Sequence, residues 1–371
     1  MVTLRFILTR LYYVMALLPL LTFRKLINFL IAIFYFLIKS KKSVKHPPIL
    51  ILDLTNRCNF KCLMCSINET QTDHYMDHKN PKDMDFKVLE NYLREHAKYL
   101  VLVRLHGGEP LLYENIVPLI DLLNELKIPF NIVTNGSLLT EEISKKLINS
   151  YCVGIGFSLD TSNPERFETI RKGGDFQEIT ANIDQLSKIK EENKSKRPVF
   201  SASMCAMSIN VEDMTDLIVF CKNHKIPALS VGEVTDLETL GFEKSHLISE
   251  NKKNAYEAIK KAVKEAKKQG IIFRLRFPSL SSSEFKDIPF HKGNILPKNC
   301  INLYAATWFL PDLRVIGCSA SGISYGNLDK NDFQDIWNTP DYGYMKARTS
   351  FRTKNVPKGC EKCTYTGSFF S

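Results

Sequence analysis

Three cysteines have a spacing that suits metal chemistry. In Asp53-Leu-Thr-Asn-Arg-Cys58-Asn-Phe-Lys-Cys62-Leu-Met-Cys65 they stand as Cys-x3-Cys-x2-Cys. Three thiolates this close in sequence can wrap three corners of an iron–sulfur cube. The fourth iron then keeps an open position for a chelating ligand. A structural zinc site needs a fourth Cys or His nearby, and the nearest histidine, His74, is not at finger spacing. About 45 residues further on comes Leu105-His106-Gly107-Gly108-Glu109-Pro110. Two glycines let backbone approach a ligand closely, and Glu109 adds a carboxylate. Four more cysteines, Cys300, Cys318, Cys360 and Cys363, follow near the end of the chain. Clustered cysteines suit metal ligation in a reducing compartment better than long-range disulfide staples. Cys152, Cys205 and Cys221 fall in or beside regular elements and read as small buried apolar residues.

These residues need a scaffold, and the pattern supplies one. After Pro47-Pro48, strand-like and helix-like runs alternate. Strands are predicted at 49–54, 100–105, 130–134, 153–159, 199–205 and 228–231. Helices are predicted at 86–96, 116–126, 141–149, 176–190, 211–224 and about 251–269, the last ending at Gly270. Repeated βα units imply an α/β fold with a parallel sheet and outer helices. Six units make a partial (β/α)6 barrel, whose sites lie at the C-terminal ends of the strands. Both the cysteine run and Gly107–Glu109 follow a predicted strand. From about Ile271 the alternation fades and cysteines return. Three regions are therefore expected: 1–46, a barrel over 47–270, and a small cysteine-bearing domain over 271–371.

Charge separates the first region from the rest. The net charge is +10. Residues 1–48 hold eight Lys and Arg and no acid, which leaves 42 basic against 40 acidic groups in residues 49–371. The excess sits on the most apolar stretch, so it points to a membrane surface and not to nucleic acid. The run Leu26–Ile38 is apolar all round. Its 13 residues reach roughly 20 Å, short of a hydrocarbon core of roughly 30 Å. A helical hairpin in one leaflet or a helix in the interface is expected, on the cytoplasmic face. An oligomer contact or a helix packed on the protein body is the alternative.

The barrel motifs resemble the radical S-adenosylmethionine (SAM) superfamily. The resemblance rests on the cysteine run, Gly-Gly-Glu-Pro, Thr134-Asn135-Gly136 and Ser158-Leu159-Asp160. It implies a [4Fe–4S] cluster on Cys58, Cys62 and Cys65, with SAM chelating the open iron. Gly107, Gly108 and Glu109 would receive the methionine amino group. Ser158 matches a position that contacts SAM, Asp160 is a ribose-side candidate, and Arg171, in Ile-Arg171-Lys-Gly-Gly, resembles an arginine that binds the SAM carboxylate. Met64 stands where the family commonly has an aromatic residue, a contact made mainly by backbone. As ordinary structure, Ser158 and Asp160 cap a helix, Asn135-Gly136 is a turn and Arg171 is a surface residue.

The last 75 or so residues resemble a SPASM-type auxiliary-cluster domain. Around the cysteines run Pro311-Asp312-Leu-Arg-Val-Ile-Gly-Cys318, Tyr325-Gly326-Asn327-Leu328 and Asp335-Ile336-Trp337-Asn338. Four cysteines rather than the family's seven imply one auxiliary [4Fe–4S] cluster, fully ligated and suited to electron transfer. A four-cysteine zinc site has the same ligand set. Leu313 replaces the family's glycine before the second cysteine. Asp312 matches a position where some related enzymes place a base, and is equally a turn residue. The histidines show no pattern, and the loop 70–81 reads as solvated.

The resemblance implies reductive cleavage of SAM to a 5′-deoxyadenosyl radical, which takes hydrogen from a substrate. A cytosolic donor of flavodoxin or ferredoxin type would supply the electron. The N-terminal region favours a membrane-borne substrate, a lipid or lipid-linked sugar. The alternatives are a peptide- or protein-modifying SPASM maturase and a membrane-bound iron–sulfur electron carrier without SAM chemistry. Gly107–Glu109 separates the last of these, since a carrier needs no amino-group site.

Overall fold

All six predicted strands form within two residues of their expected ends. The computed structural model describes residues 15–65, 82–234, 246–280, 300–318, 323–340, 342–352 and 360. Two units divide the chain. One holds residues 58–74 and 132–292, the other 17–57, 75–131 and 293–371. His74, His78, His291, the loop 70–81 and Cys363 lie outside the described residues.

In the first unit, strands Cys152–Ser158, Val199–Ala206, Ala228–Glu233 and Ile272–Arg276 lie parallel in that order. Each crossover carries a helix with one apolar stripe. Phe176–Glu192 buries Phe176, Ile179, Ile183 and Leu186, at i, i+3, i+7 and i+10. Asp175 starts it by accepting the Gln177 and Glu178 N–H groups. Helix Lys252–Gln269 buries only small or branched residues (Ala255, Ala258, Ile259, Ala262, Ala266) and stops at Gly270, where φ is +72°. The strand at 272–276 extends the alternation past residue 271, where the sequence expects it to fade. Arg274 and Arg276 break up the apolar positions Ile272, Phe273 and Leu275, and pairing with Ala228–Glu233 decides.

In the second unit, Ile49–Asp53 is central. It pairs in parallel with Leu102–His106 on one side and Ala306–Phe309 on the other. All five of its residues are buried, as a strand covered on both faces requires. Arg314–Ile316 and Ser324–Asn327 extend this sheet antiparallel from Ala306–Phe309.

The N-terminal run is one helix, Phe23–Leu37, capped by Thr22. It is not apolar all round in effect, because it buries a polar stripe. Lys25 Nζ donates to the Lys127 carbonyl at 2.8 Å. Asn28 Nδ2 donates to the His46 and Tyr99 carbonyls at 2.8 and 3.3 Å. Among the described residues no helix is long and apolar enough to cross a membrane.

His46 fastens the segment after this helix. Its ring stacks on Tyr99 at 4.0 Å and meets His96 at 4.9 Å. Burial, with positive charge at His96, Lys45 and Lys98, pushes its pKa down to about 4. The imidazole is therefore neutral when folded, whereas the unfolded chain protonates near its usual value of about 6.5. Stability is whole above that value and falls as pH drops towards 4. The thermal midpoint of anaerobically prepared protein should fall over this range, less steeply in His46→Phe. Equal slopes would show that His46 carries none of the dependence.

Candidate functional site

The cysteine loop belongs to the first unit and is buttressed from three sides. Lys61–Cys62 pairs antiparallel with Arg171–Lys172, and the Leu63 N–H reaches the Ile170 carbonyl at 2.8 Å. Asn59 accepts from Asn135 Nδ2 and donates to Ser137 Oγ, both at 2.9 Å. Gly173, at φ +96°, and Gly174 complete the seat. A Cβ on Gly174 would stand 2.7 Å from the Phe60 ring. Thr134-Asn135-Gly136 and Arg171-Lys-Gly-Gly thus grip one loop from two strand ends.

Charge inside this seat is concentrated. Arg171 Nε lies 2.7 Å from Asp160 Oδ2, close but without the alignment of a hydrogen bond. The Asp160 side chain is wholly buried and the Arg171 side chain nearly so. Asp160 Oδ1 accepts the Cys205 N–H at 2.7 Å. Arg171 Nη1 stands 3.7 Å from Cys62 Sγ. Burial pushes Asp160 up to about 6 against the pull of Arg171. Burial likewise pushes the Cys62 thiol up to about 12, with Arg171 opposing. A thiolate in this seat needs positive charge beside it. Arg171 supplies part, and a metal bound there would supply the rest.

The three thiols fit an iron–sulfur cube by donor chemistry. Cys58 and Cys65 are half-buried, Cys62 is buried, and none is in a disulfide. Among the described residues no three Cys, His, Asp or Glu side chains converge as ligands of one ion would. A cube holds its thiolates apart, at separate corners. Met64 is half-buried between the last two cysteines.

Gly107–Pro110 belongs to the second unit. The Gly108 N–H donates to the Thr55 carbonyl and the Glu109 N–H to the Arg57 carbonyl, both at 2.8 Å. A Cβ would stand 2.5 Å from Thr55 O at Gly107, where φ is +123°, and 1.9 Å from Arg57 O at Gly108. The glycines therefore let this loop dock on the backbone just before Cys58. The sequence alone suggests closeness to a ligand; backbone docking is the contact observed. Glu109 is buried and accepts the Leu111 N–H at 3.2 Å. The Arg57 guanidinium holds Asp83 at 2.6 and 3.0 Å and the Leu112 carbonyl at 3.0 Å, which fastens the same turn.

Three of the C-terminal cysteines act on one ring. Cys300, Cys360 and Cys318 all act electrostatically on the buried Tyr325 hydroxyl, which burial holds well above its usual pKa. Gly317 makes room for that ring, since a Cβ would meet it at 2.7 Å. Asp312 is engaged by its own turn: its carboxylate accepts from Arg314 Nε at 2.6 Å and Arg314 N at 3.2 Å. Leu313 has φ +65°, the left-handed conformation that glycine takes freely. The conformation costs a leucine about 1–2 kcal/mol. Burial of its side chain returns about 1.5–3 kcal/mol, so the turn survives the substitution.

Cys152 and Cys221 are buried, as their positions suggest. Cys205 is different. It is exposed, and Asp160, Arg171, Cys65 and Cys62 all act on its thiol. Its place at the C-terminal end of Val199–Ala206 was the signal for a site-facing residue. Asp53 ends an apolar strand and is buried, and burial pushes its carboxyl up to about 7. Ser158 is half-buried at a strand end, in register with Ser203.

Sequence comparison decides the family. The radical SAM superfamily pattern matches residues 52–221, and that of the SPASM iron–sulfur cluster-binding domain matches residues 300–364. The chain is a radical SAM enzyme with a SPASM domain. The first match spans the cysteine loop, Gly107–Glu109, Ser158, Asp160 and Arg171, and the second spans all four C-terminal cysteines. Both domains imply [4Fe–4S] clusters, the first with SAM.

Among relatives of this radical SAM protein is the tungsten-containing aldehyde ferredoxin oxidoreductase cofactor-modifying protein of Pyrococcus furiosus. It is 23% identical over 328 residues, covering 85% of this chain and 86% of the relative. A GTP 3′,8-cyclase of Clostridium perfringens strain 13 is 31% identical over 178 residues, covering 46% of this chain and 51% of the cyclase. The chain spans about half the length of the cyclases it matches. In fold it is similar to Streptococcus suis SuiB bound to the precursor peptide SuiA. The TM-score there is 0.62 at 18% identity, covering 80% of this chain and 66% of SuiB.

Proposed function

We propose that this enzyme cleaves SAM reductively and takes hydrogen from a membrane-borne substrate, a lipid or lipid-linked sugar, at the cytoplasmic face of a membrane. The observation that carries the SAM reading is the pair of tightly seated loops, Cys58–Cys65 and Gly107–Glu109, each fixed by glycines that tolerate no Cβ. Cys58, Cys62 and Cys65 would hold a [4Fe–4S] cluster, which when bound would supply the one electron needed to cleave SAM to methionine and a 5′-deoxyadenosyl radical.

The chain's own residues bind and orient. Glu109 and the Gly107–Gly108 backbone take the methionine amino group. Ser158 contributes a hydroxyl on the SAM side. Arg171 brings the positive charge that the methionine carboxylate needs, while Asp160 holds that guanidinium in place. Asp160 itself is enclosed between Arg171 and the Cys205 N–H, which favours this positioning role over a ribose contact. Cys300, Cys318, Cys360 and Cys363 would hold a second cluster, which would supply an acceptor for an electron from the substrate radical. A flavodoxin- or ferredoxin-type donor reduces the first.

The membrane-borne substrate rests on the apolar, basic N-terminal region. A peptide substrate is the second reading, supported by the likeness in fold to SuiB, solved with its precursor peptide. Anaerobic reconstitution with iron and sulfide, then SAM and dithionite, should yield 5′-deoxyadenosine. None, with an intact cluster, would overturn the enzyme reading. Deuterium should pass into 5′-deoxyadenosine from a deuterated membrane-lipid extract. Transfer only from a peptide fraction would replace the lipid with a peptide.

A further inference from the structure

Helix Phe23–Leu37 sits on the protein the wrong way round for a soluble domain. Its buried residues, Lys25, Asn28, Ala32 and Phe36, fall at i, i+3, i+7 and i+11, on one face. That face is held by the Lys127, His46 and Tyr99 carbonyls and by the Tyr304 ring against Phe36. The opposite face, Phe23, Ile27, Leu30, Phe34 and Leu37, follows i, i+4, i+7, i+11 and i+14. All five are exposed, Phe23 by 78% and Phe34 by 56%. Ten of the eleven exposed large apolar side chains among the described residues lie between Met15 and Ile38. Scattered surface leucines are ordinary, but a contiguous apolar face of this length marks an interaction site.

Charge selects the occupant. Arg24, Lys41, Lys42 and Lys45 are exposed at or just beyond the ends of the helix, and residues 15–48 contain no acid. The stretch carrying the three lysines is fixed to the body. Ser43 Oγ donates to the Tyr304 carbonyl at 2.6 Å, and Trp337 Nε1 donates to the Val44 carbonyl at 2.7 Å. A second copy of the chain packed symmetrically on this face would bring like charges together. An anionic lipid surface meets apolar face and lysines at once.

We propose that helix Phe23–Leu37 is an in-plane docking surface for an anionic phospholipid bilayer, its apolar face entering the headgroup–acyl boundary while Lys25 and Asn28 keep it on the protein. Lipid cannot surround the helix, because its polar face is occupied by the body. At about 1.5 Å per residue, 15 residues also fall short of a bilayer core. Of the two expected arrangements, this is the helix lying in the interface. The surface is independent of SAM chemistry, although the membrane-borne substrate reading rests on it.

The test uses the full-length, cluster-loaded protein and vesicles of 7:3 phosphatidylcholine and phosphatidylglycerol. Sedimentation should show binding that weakens with salt and falls at least tenfold on pure phosphatidylcholine. Leu30→Glu with Phe34→Glu should lower vesicle binding at least tenfold and leave the thermal midpoint and 5′-deoxyadenosine yield unchanged. Phe34→Trp should be quenched by brominated lipid. Vesicle binding indifferent to the double substitution, or an unquenched Trp, overturns the proposal. So does a stable dimer that the double substitution converts to monomer, which would make the face a protein contact. Loss of 5′-deoxyadenosine with binding intact counts against the SAM reading alone.

Discussion

Gly108→Ala should abolish SAM cleavage, lowering 5′-deoxyadenosine yield by more than a hundredfold, and should lower iron per chain. The added Cβ would stand 1.9 Å from the Arg57 carbonyl oxygen, a separation that no rotamer relieves because the backbone fixes the Cβ and the oxygen is itself backbone. Either Arg57 or the Gly107–Pro110 turn must move. Movement breaks the Gly108–Thr55 and Glu109–Arg57 hydrogen bonds, each worth about 1 kcal/mol. Overpacking adds about 1–3 kcal/mol. Arg57 is bonded to Cys58, so its displacement reaches the first cluster ligand through the chain itself. Gly270→Ala is the control. Its Cβ meets nothing within 4 Å, but its φ is +72°, so it should cost about 1 kcal/mol and leave iron and 5′-deoxyadenosine unchanged. Wild-type iron and yield in Gly108→Ala would show that loop docking does not position the cysteines.

The barrel was legible because its signals are local. Helices such as Phe86–His96 carry an apolar stripe and a capping Asp, which fix type and ends without the rest of the fold. The strands are apolar runs between those helices. Strand Ile272–Arg276 and the two-residue pairing of Lys61–Cys62 with Arg171–Lys172 escaped because pairing partners, not composition, make them. The same limit applied to the site. Cysteine spacing marks ligands directly, but no spacing says that Asn59 ties two loops or that Asp160 faces Arg171 across a strand end. Cys205 was misread because a cysteine in a strand is more often packed than facing a site. The N-terminal helix was expected, but not which of its faces turns inward. Its composition hides the stripe Lys25-Asn28-Ala32-Phe36, since only two of the four residues are polar. The bonds to main-chain carbonyls reveal which face is inward.

The Asp160–Arg171 pair sets the second large effect. Arg171→Met leaves a wholly buried carboxylate without its cation. Such a loss costs about 3–5 kcal/mol, a large share of a domain's stability. Asp160→Leu leaves the guanidinium buried and strands the Cys205 N–H, so it should cost a similar amount. The double variant Asp160→Leu/Arg171→Met removes both charges. It should regain much of the stability, because a buried ion pair is weak evidence for net stabilisation once its members go together. Function should not return with it. Arg171 Nη1 stands 3.7 Å from Cys62 Sγ, in a seat where burial holds the thiol up to about 12. Without that guanidinium the thiolate loses a nearby protein cation, and the methionine carboxylate loses its counter-charge. The double variant should therefore fold, bind less iron at limiting iron, and show a raised KM for SAM. Thermal midpoints, iron titration and 5′-deoxyadenosine kinetics on the four proteins separate the cases. Full recovery of iron affinity and KM in the double variant would reduce Arg171 to a structural partner of Asp160. Single variants as stable as the parent would remove the ion pair from the account altogether.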